Sequence, residues 1–340
     1  MNQMLEYRNH SPFGTGLRLL LANKRLLLWV YLTNLAVGLY VGLPFHARIS
    51  PILDHSLAAE RIAGRFDVSA FGMLMMNLGK RGNSLHVQAF HAILVYGLIA
   101  NILAAGIYYV FGTGELSRLS IVVRSGIEYF WRFFRLMLFA IVIIGPIMAA
   151  LIALRGVILT HADNVYVGRS FFFISLVTLI ILLLVGLFLR LWFDIAEASV
   201  IQLGQQSGVR HIRRTLGPSM RILWHRFGAA YFGYLLIAVL GAVGLAFFVW
   251  LWIAVLPPRA VFLAWVIGQL GVLCLLTARI WQRGLATALV LAAEPVIAPS
   301  EPVRPVPAAP SAPVEPWPES PASNPLAGET TGPNADPLSS

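Results

Sequence analysis

Four groups of residues have the types and spacing to do chemistry. Asp194 and Glu197 stand three apart, which puts both carboxylates on one helix face, and Arg190 precedes Asp194 by one turn. Such a pair could hold a cation or the amine of a lipid headgroup. The plainer reading is an ordinary interface ion pair of Asp194 with Arg190, worth little where water screens it. His161 with Asp163 is the second group, and Asp54, His55 and Ser56 form the third. Each offers a general base or part of a metal site, yet neither supplies enough ligands to close one. The fourth group is basic. Arg210, Arg213, Arg214, Arg221 and Arg226 fall in the polar stretch 187–226, which holds six of the chain's 25 Lys and Arg residues. Anionic lipid headgroups or a protein partner are its natural counterparts, and each cation near an anionic leaflet contributes about 1 kcal/mol.

Beyond these groups the chain is chemically quiet. No phosphate-cradling G-x-x-x-x-G-K-[ST], H-E-x-x-H or G-x-S-x-G pattern occurs, so no catalytic residue, cofactor or metal is expected. The single cysteine, Cys274, lies in an apolar run and reads as a small packing residue. Asn34, His91, Asn101 and Gln269 lie within or near apolar runs, where polar groups commonly bond between helices. Arg155 sits only at the end of such a run, which counts against an ion-coupled transport path.

The elements that must position these residues are membrane spans. The chain is 58% hydrophobic and only 12% charged, with a mean hydropathy of +0.75, outside the range of soluble domains. Long charge-poor runs occur at 26–45, 87–112, 136–154, 170–189, 227–256 and 261–278. The expected fold is therefore all-α: a polytopic membrane bundle of about six transmembrane helices with interfacial amphipathic helices, over residues 1–293. The first run exceeds the roughly 7–15 apolar residues of a signal peptide and is expected to stay as an anchor.

Between the runs, 46–86 reads as an outer segment with short amphipathic helices over the bundle. Residues 115–135 mix arginine with aromatic rings and suit the headgroup layer. Gly145-Pro146 is expected to kink the third span. Gly38-x-x-x-Gly42 would permit close approach of another helix. Residues 209–226 should lie in the plane of the inner leaflet. Val209, Ile212, Leu216, Met220 and Leu223 would face the acyl chains, with a break near Gly217-Pro218. From 294 to 340, thirteen of the twenty prolines accompany Ala, Ser and Glu, a composition expected to form a disordered tail.

Charge sets the expected orientation. With both termini inside, inner segments carry 17 Lys and Arg and outer segments 8, so both ends are expected in the cytoplasm. The net charge of +10 follows that topology and does not call for nucleic acid. Gly16, Gly126 and Gly217 each precede an arginine (Arg25, Arg135, Arg226) by nine residues, and each arginine opens an outward span. The pattern suggests a basic interfacial helix followed by a hairpin of spans, three times over, although orientation alone also demands basic residues there.

The span end LRLWFDIAEASV, followed by the basic GVRHIRRTLGPSMRILWHRFG leading into the next span, resembles a broad group of bacterial six-span membrane proteins of unassigned function. The segment ILDHSLAAERIAGRFDVSAFG is similar to an outer segment of some members. The likeness covers about 187–238 and the span number. It implies the bacterial inner membrane and carries no catalytic residues with it. Three functions compete: a non-enzymatic assembly or partner- and lipid-binding component; a transporter or channel for an uncharged or lipid-like solute; and a lipid-directed enzyme. A through-going polar cavity would favour the second, and convergent His and carboxylate groups the third.

Overall fold

The computed structural model describes residues 11–53, 83–166, 168–207, 213–257 and 260–293, with isolated positions between 69 and 76. Eight helices and no strands occur among them: α1 (Pro12–Ala22), α2 (Lys24–Leu53), α3 (Asn83–Thr113), α4 (Leu119–Val165), α5 (Arg169–Ser207), α6 (Arg213–His225), α7 (Phe227–Ala254) and α8 (Val261–Ala293). Local chemistry accounts for the breaks. Ser11 caps α1 by accepting a hydrogen bond from the Gly14 N–H, with Pro12 at the first helical position. Asn23 ends the same helix, and α2 starts at the next residue. Arg226 separates α6 from α7 in the same way. Gly114 and Gly168 take positive φ (both 71°) at the turns before α4 and α5, a conformation that costs glycine nothing.

All of the long helices, α2, α3, α4, α5, α7 and α8, are long and apolar enough to cross a membrane. Most of their apolar surface is not buried by protein. In the most apolar stretch of α5 only 6% of residues are buried, and Phe172, Phe173 and Leu183 are among those exposed. An exposed apolar surface of this extent requires a non-aqueous solvent.

The densest packing lies at one end of the bundle, while α7 and α8 stay close farther along, where a Cβ at Gly241 would lie 2.7 Å from the Ala278 Cβ. The largest cluster joins Tyr108 of α3, Phe133 of α4, Leu191, Ile195 and Ile201 of α5, Leu223 of α6, Tyr234 and Ile237 of α7, and Leu285 and Leu289 of α8. A second cluster adds α1 and the start of α2 through Leu19, Leu20 and Leu26, packed with Ile107 and Phe111. The basic segments of the sequence lie at this same end. Short helices that seemed destined for the headgroup layer therefore form a core.

A contact with the same layout occurs at three places in that core. At the first, α4 crosses α3 so tightly that a Cβ at Gly106 would collide with the Val122 carbonyl, and one at Gly126 with the Ile102 carbonyl. At the second, α6 crosses α5 with the Ser199 and Ser219 hydroxyls 3.4 Å apart. At the third, α1 crosses α8, where a Cβ at Gly16 would lie 2.7 Å from the Leu285 nitrogen and one at Gly284 2.8 Å from the Gly16 carbonyl oxygen. Each short or basic helix thus packs on the final turns of the long helix before it, and α1 takes the place after α8. Each also buries a hydroxyl that donates to the carbonyl four residues back: Thr15, Ser125 and Ser219. Small residues let the backbones approach, the usual device where lipid removes the hydrophobic drive between helices. The repeat read at Gly16 and Gly126 has a physical basis in these crossings. At the crossing of α6 on α5 the contact lies at Ser219, and a Cβ at Gly217 would meet nothing within 4 Å among the described residues.

Several expectations are corrected. The stripe of α6 turns toward protein, not acyl chains: Leu223 is fully buried, and Leu216 and Met220 pack against the main cluster. The helix runs unbroken through Pro218. Residues 119–135 are not a separate interfacial element, because α4 continues for 47 residues, about 70 Å, through Pro146. No helix breaker stands between Arg135 and the apolar run, whereas Asn23 and Arg226 interrupt the other two. Among the described residues a Cβ at Gly38 or Gly42 would meet nothing within 4 Å, so the motif makes no close approach to them. Most of 46–86 and all of 294–340 lie outside the described residues.

Candidate functional site

The end of α5 that carries Asp194 is held in the core by its neighbours, and the carboxylate is completely buried. Arg279 of α8 grips it with both nitrogens: Nη2 lies 2.7 Å from Oδ1 and Nη1 2.7 Å from Oδ2. Arg190, one turn earlier on α5, brings Nε to 3.3 Å from Oδ1. The Tyr234 hydroxyl of α7 donates to Oδ2 at 2.5 Å. Arg279 also donates to the Tyr234 oxygen (2.8 Å) and to Gln282 Oε1 (3.2 Å), and Gln282 Nε2 returns to the Tyr234 carbonyl.

A carboxylate has about four acceptor positions, and here three hydrogen bonds, two from Arg279 and one from Tyr234, are joined by the Arg190 ion pair. Two guanidinium groups already meet the charge of Asp194, which disfavours a further cation or a headgroup amine there. It is not the exposed interface charge that its spacing to Arg190 suggests. The bidentate pair is of the strong charge-assisted kind and ties α5, α7 and α8 together. What the cluster does is clamp three helices.

Glu197 is less well served. Its Oε1 lies 3.9 Å from Arg190, and its buried Oε2 has no hydrogen-bond partner among the described residues. Arg283, one turn beyond Arg279, lies over the Tyr108 ring at 5.9 Å, and its Nε likewise has no partner there.

Of the basic link, Arg221 is exposed on α6 beside the exposed Trp224. Arg213 and Arg214 open α6 with side chains outside the described set, and Arg210 lies outside it altogether. His161 and Asp163 are exposed near the end of α4, and no metal-holding group of His, Cys, Asp and Glu occurs among the described residues. The group at Asp54, His55 and Ser56 lies outside them. Of the polar residues in or near the apolar runs, Asn34, His91 and Gln269 meet partners on other helices, whereas the buried Asn101 Nδ2 has no partner among the described residues. Tyr96 of α3 donates to Asn34 of α2 (3.0 Å), Tyr31 of α2 to Gln269 of α8 (3.2 Å), and Tyr40 lies 3.4 Å from His91 Nδ1.

Arg279, Tyr234 and Gln282 are the residues that sequence reasoning missed. One signal was present. Asn101, Asp194 and Arg279 each stand five residues before the small residue of a crossing: Gly106, Ser199 and Gly284. Helices α3, α5 and α8 thus carry Asn, Asp and Arg at corresponding positions, all in the tightly packed end.

No family model matches the chain, and neither a curated protein nor a solved structure matches it significantly. The fold and the buried cluster define a class: a helical integral membrane protein with six long apolar helices and a polar clamp in its packed end.

Proposed function

We propose that the chain is a non-enzymatic component of the bacterial inner membrane, with both termini cytoplasmic, whose basic inner face binds anionic lipid headgroups. The observation that carries this is the pairing of Asp194 within its own chain. The carboxylate with the strongest geometry is held by Arg279, Arg190 and Tyr234 as a clamp between helices, a structural use of the kind that leaves it a poor base or ligand. His161 and Asp163 stand apart from it, which argues against the lipid-directed enzyme. Among the described residues, two cavities lie beside α2.

The outward side of α6 supports the headgroup reading. Its apolar face is used against the core, which leaves Arg221 and Trp224 exposed, a pairing that suits the membrane interface. Replacing Arg210, Arg213 and Arg214 together with Gln is expected to weaken retention of anionic lipid in mild detergent and to leave topology unchanged. Unchanged lipid with loss of a co-purifying protein would replace this reading with one in which the link or the Pro-rich tail engages a protein partner.

Orientation is tested separately. Reporters fused at Gly82 and Pro258 should appear outside, and those at Gly208 and Ser340 inside. A Gly208 reporter found outside would overturn the topology.

A further inference from the structure

Among the described residues Arg283 has the Tyr108 ring beneath it but no counter-ion. No carboxylate lies within 4.0 Å of it among the described residues, while Arg190 and Arg279 both reach Asp194. Its buried Nε donates to nothing there. A charge withdrawn from water without a partner is costly, by several kcal/mol on the usual scale. Arg279 cannot share its own anion further, because its guanidinium already holds both oxygens of Asp194. The unused fork is that of Arg283.

Space lies in front of it. Arg279 and Arg283 line a cavity of about 60 Å³ enclosed by α2, α3 and α8, with Asn34 and Tyr96 in its wall. Asn34 and Tyr96 bond to each other, and Asn34 Nδ2 donates to the Val30 carbonyl, so both side chains already have partners. Beside the cavity runs an apolar groove of about 490 Å³ between α2 and α3. It shares Thr33 and Ile99 with the cavity and is walled along α2 by Trp29, Leu32, Ala36 and Tyr40. Those α2 positions form one helical stripe, roughly 16 Å long. A cationic pocket thus adjoins an apolar channel on a surface that faces lipid.

We propose that this cleft binds one anionic glycerophospholipid, with its phosphate on Arg283 and an acyl chain along the α2 groove. A planar guanidinium matches phosphate oxygens in a forked arrangement. The adjoining groove is why a lipid, and not free phosphate, is the occupant. The competitor inside the chain is Glu197, whose Oε2 also lacks a partner. The site is separate from the basic link of α6, and its failure would leave the link's role untouched.

The test is native mass spectrometry of the full chain purified in mild detergent, paired with thermal melts. The wild type should retain one tightly held phospholipid per chain at this cleft, in addition to the lipid held by the basic link. Arg283→Gln should lower that retention at least tenfold, and so should Ala36→Trp, which fills the groove from an exposed position. The Arg210, Arg213 and Arg214 triple variant should keep this lipid. Added phosphatidylglycerol should raise the melting temperature, and inorganic phosphate at equal concentration should not. Equal retention in both single variants overturns the proposal. A full shift with phosphate alone, insensitive to Ala36→Trp, overturns it in favour of a free anion. Unchanged lipid with strong coupling between Arg283→Gln and Glu197→Gln in stability overturns it in favour of an internal ion pair. Should Arg283→Gln fail to fold, Ala36→Trp decides alone.

Discussion

Replacing Asp194 with Ala is expected to destabilise the protein by about 3–5 kcal/mol, the range for breaking a buried ion pair on one side only. The carboxylate is fully buried and Arg279 is about three-quarters covered, so the change strands a guanidinium in the packed end of the bundle. Arg190 contributes less, because its side chain is 42% exposed and can turn to water. Tyr234 would lose its acceptor as well. Detergent-extracted yield should collapse, or the melting temperature fall by many degrees. The double variant Asp194→Leu with Arg279→Met separates clamp from chemistry. Apolar replacement of both partners is often neutral, so the double variant should recover much of the stability lost by Asp194→Ala. A single variant as stable as wild type would show that the clamp is not what holds α5, α7 and α8 together.

Gly126→Val is expected to cost more than the roughly 1–3 kcal/mol of ordinary overpacking. The obstacle is the carbonyl of Ile102, a backbone atom inside α3 that no rotamer change can move. Gly106→Val should behave alike against Val122, and either variant should loosen α3 from α4. Gly97→Ala in the same α3 is the control. A Cβ there meets nothing within 4 Å, and glycine inside a helix is worse than alanine by about 0.5–1 kcal/mol, so that variant should be neutral or slightly stabilised. Melting curves of the three variants side by side provide the check. Equal behaviour of Gly97→Ala and Gly126→Val would mean that the crossing is not a close one.

These two results probe different parts of one arrangement. The crossings set the distance between neighbouring helices at the packed end, and the clamp fixes which helices face one another there. Beyond that end, α4, α5 and α7 expose residues such as Ile141, Val142, Ile180 and Val243 and rely on lipid to cover them.

The sequence by itself determined the class of fold. Runs of about twenty apolar residues can be satisfied in lipid only as helices, and this constraint is local, so each long helix could be read one at a time. Ser11, Asn23 and Gly114 likewise act over a few residues, through capping and turn chemistry that is local to the chain. The carboxylate at Asp194 was also visible, as was its turn-spaced neighbour Arg190.

Tertiary structure alone decided what Asp194 is for. Its principal partner, Arg279, lies 85 residues away, and no periodicity connects two helices that meet only after folding. The same holds for the stripe on α6. Leu216, Met220 and Leu223 mark an apolar face, but hydrophobic spacing cannot tell a protein surface from an acyl chain, since both accept the same side chains. Gly16, Gly106, Gly126 and Gly284 were legible as glycines in helices. That each is the point where two backbones touch, and that α1 closes the series against α8, depends on how the helices cross, because a missing side chain acquires meaning only from the atom that stands in its place.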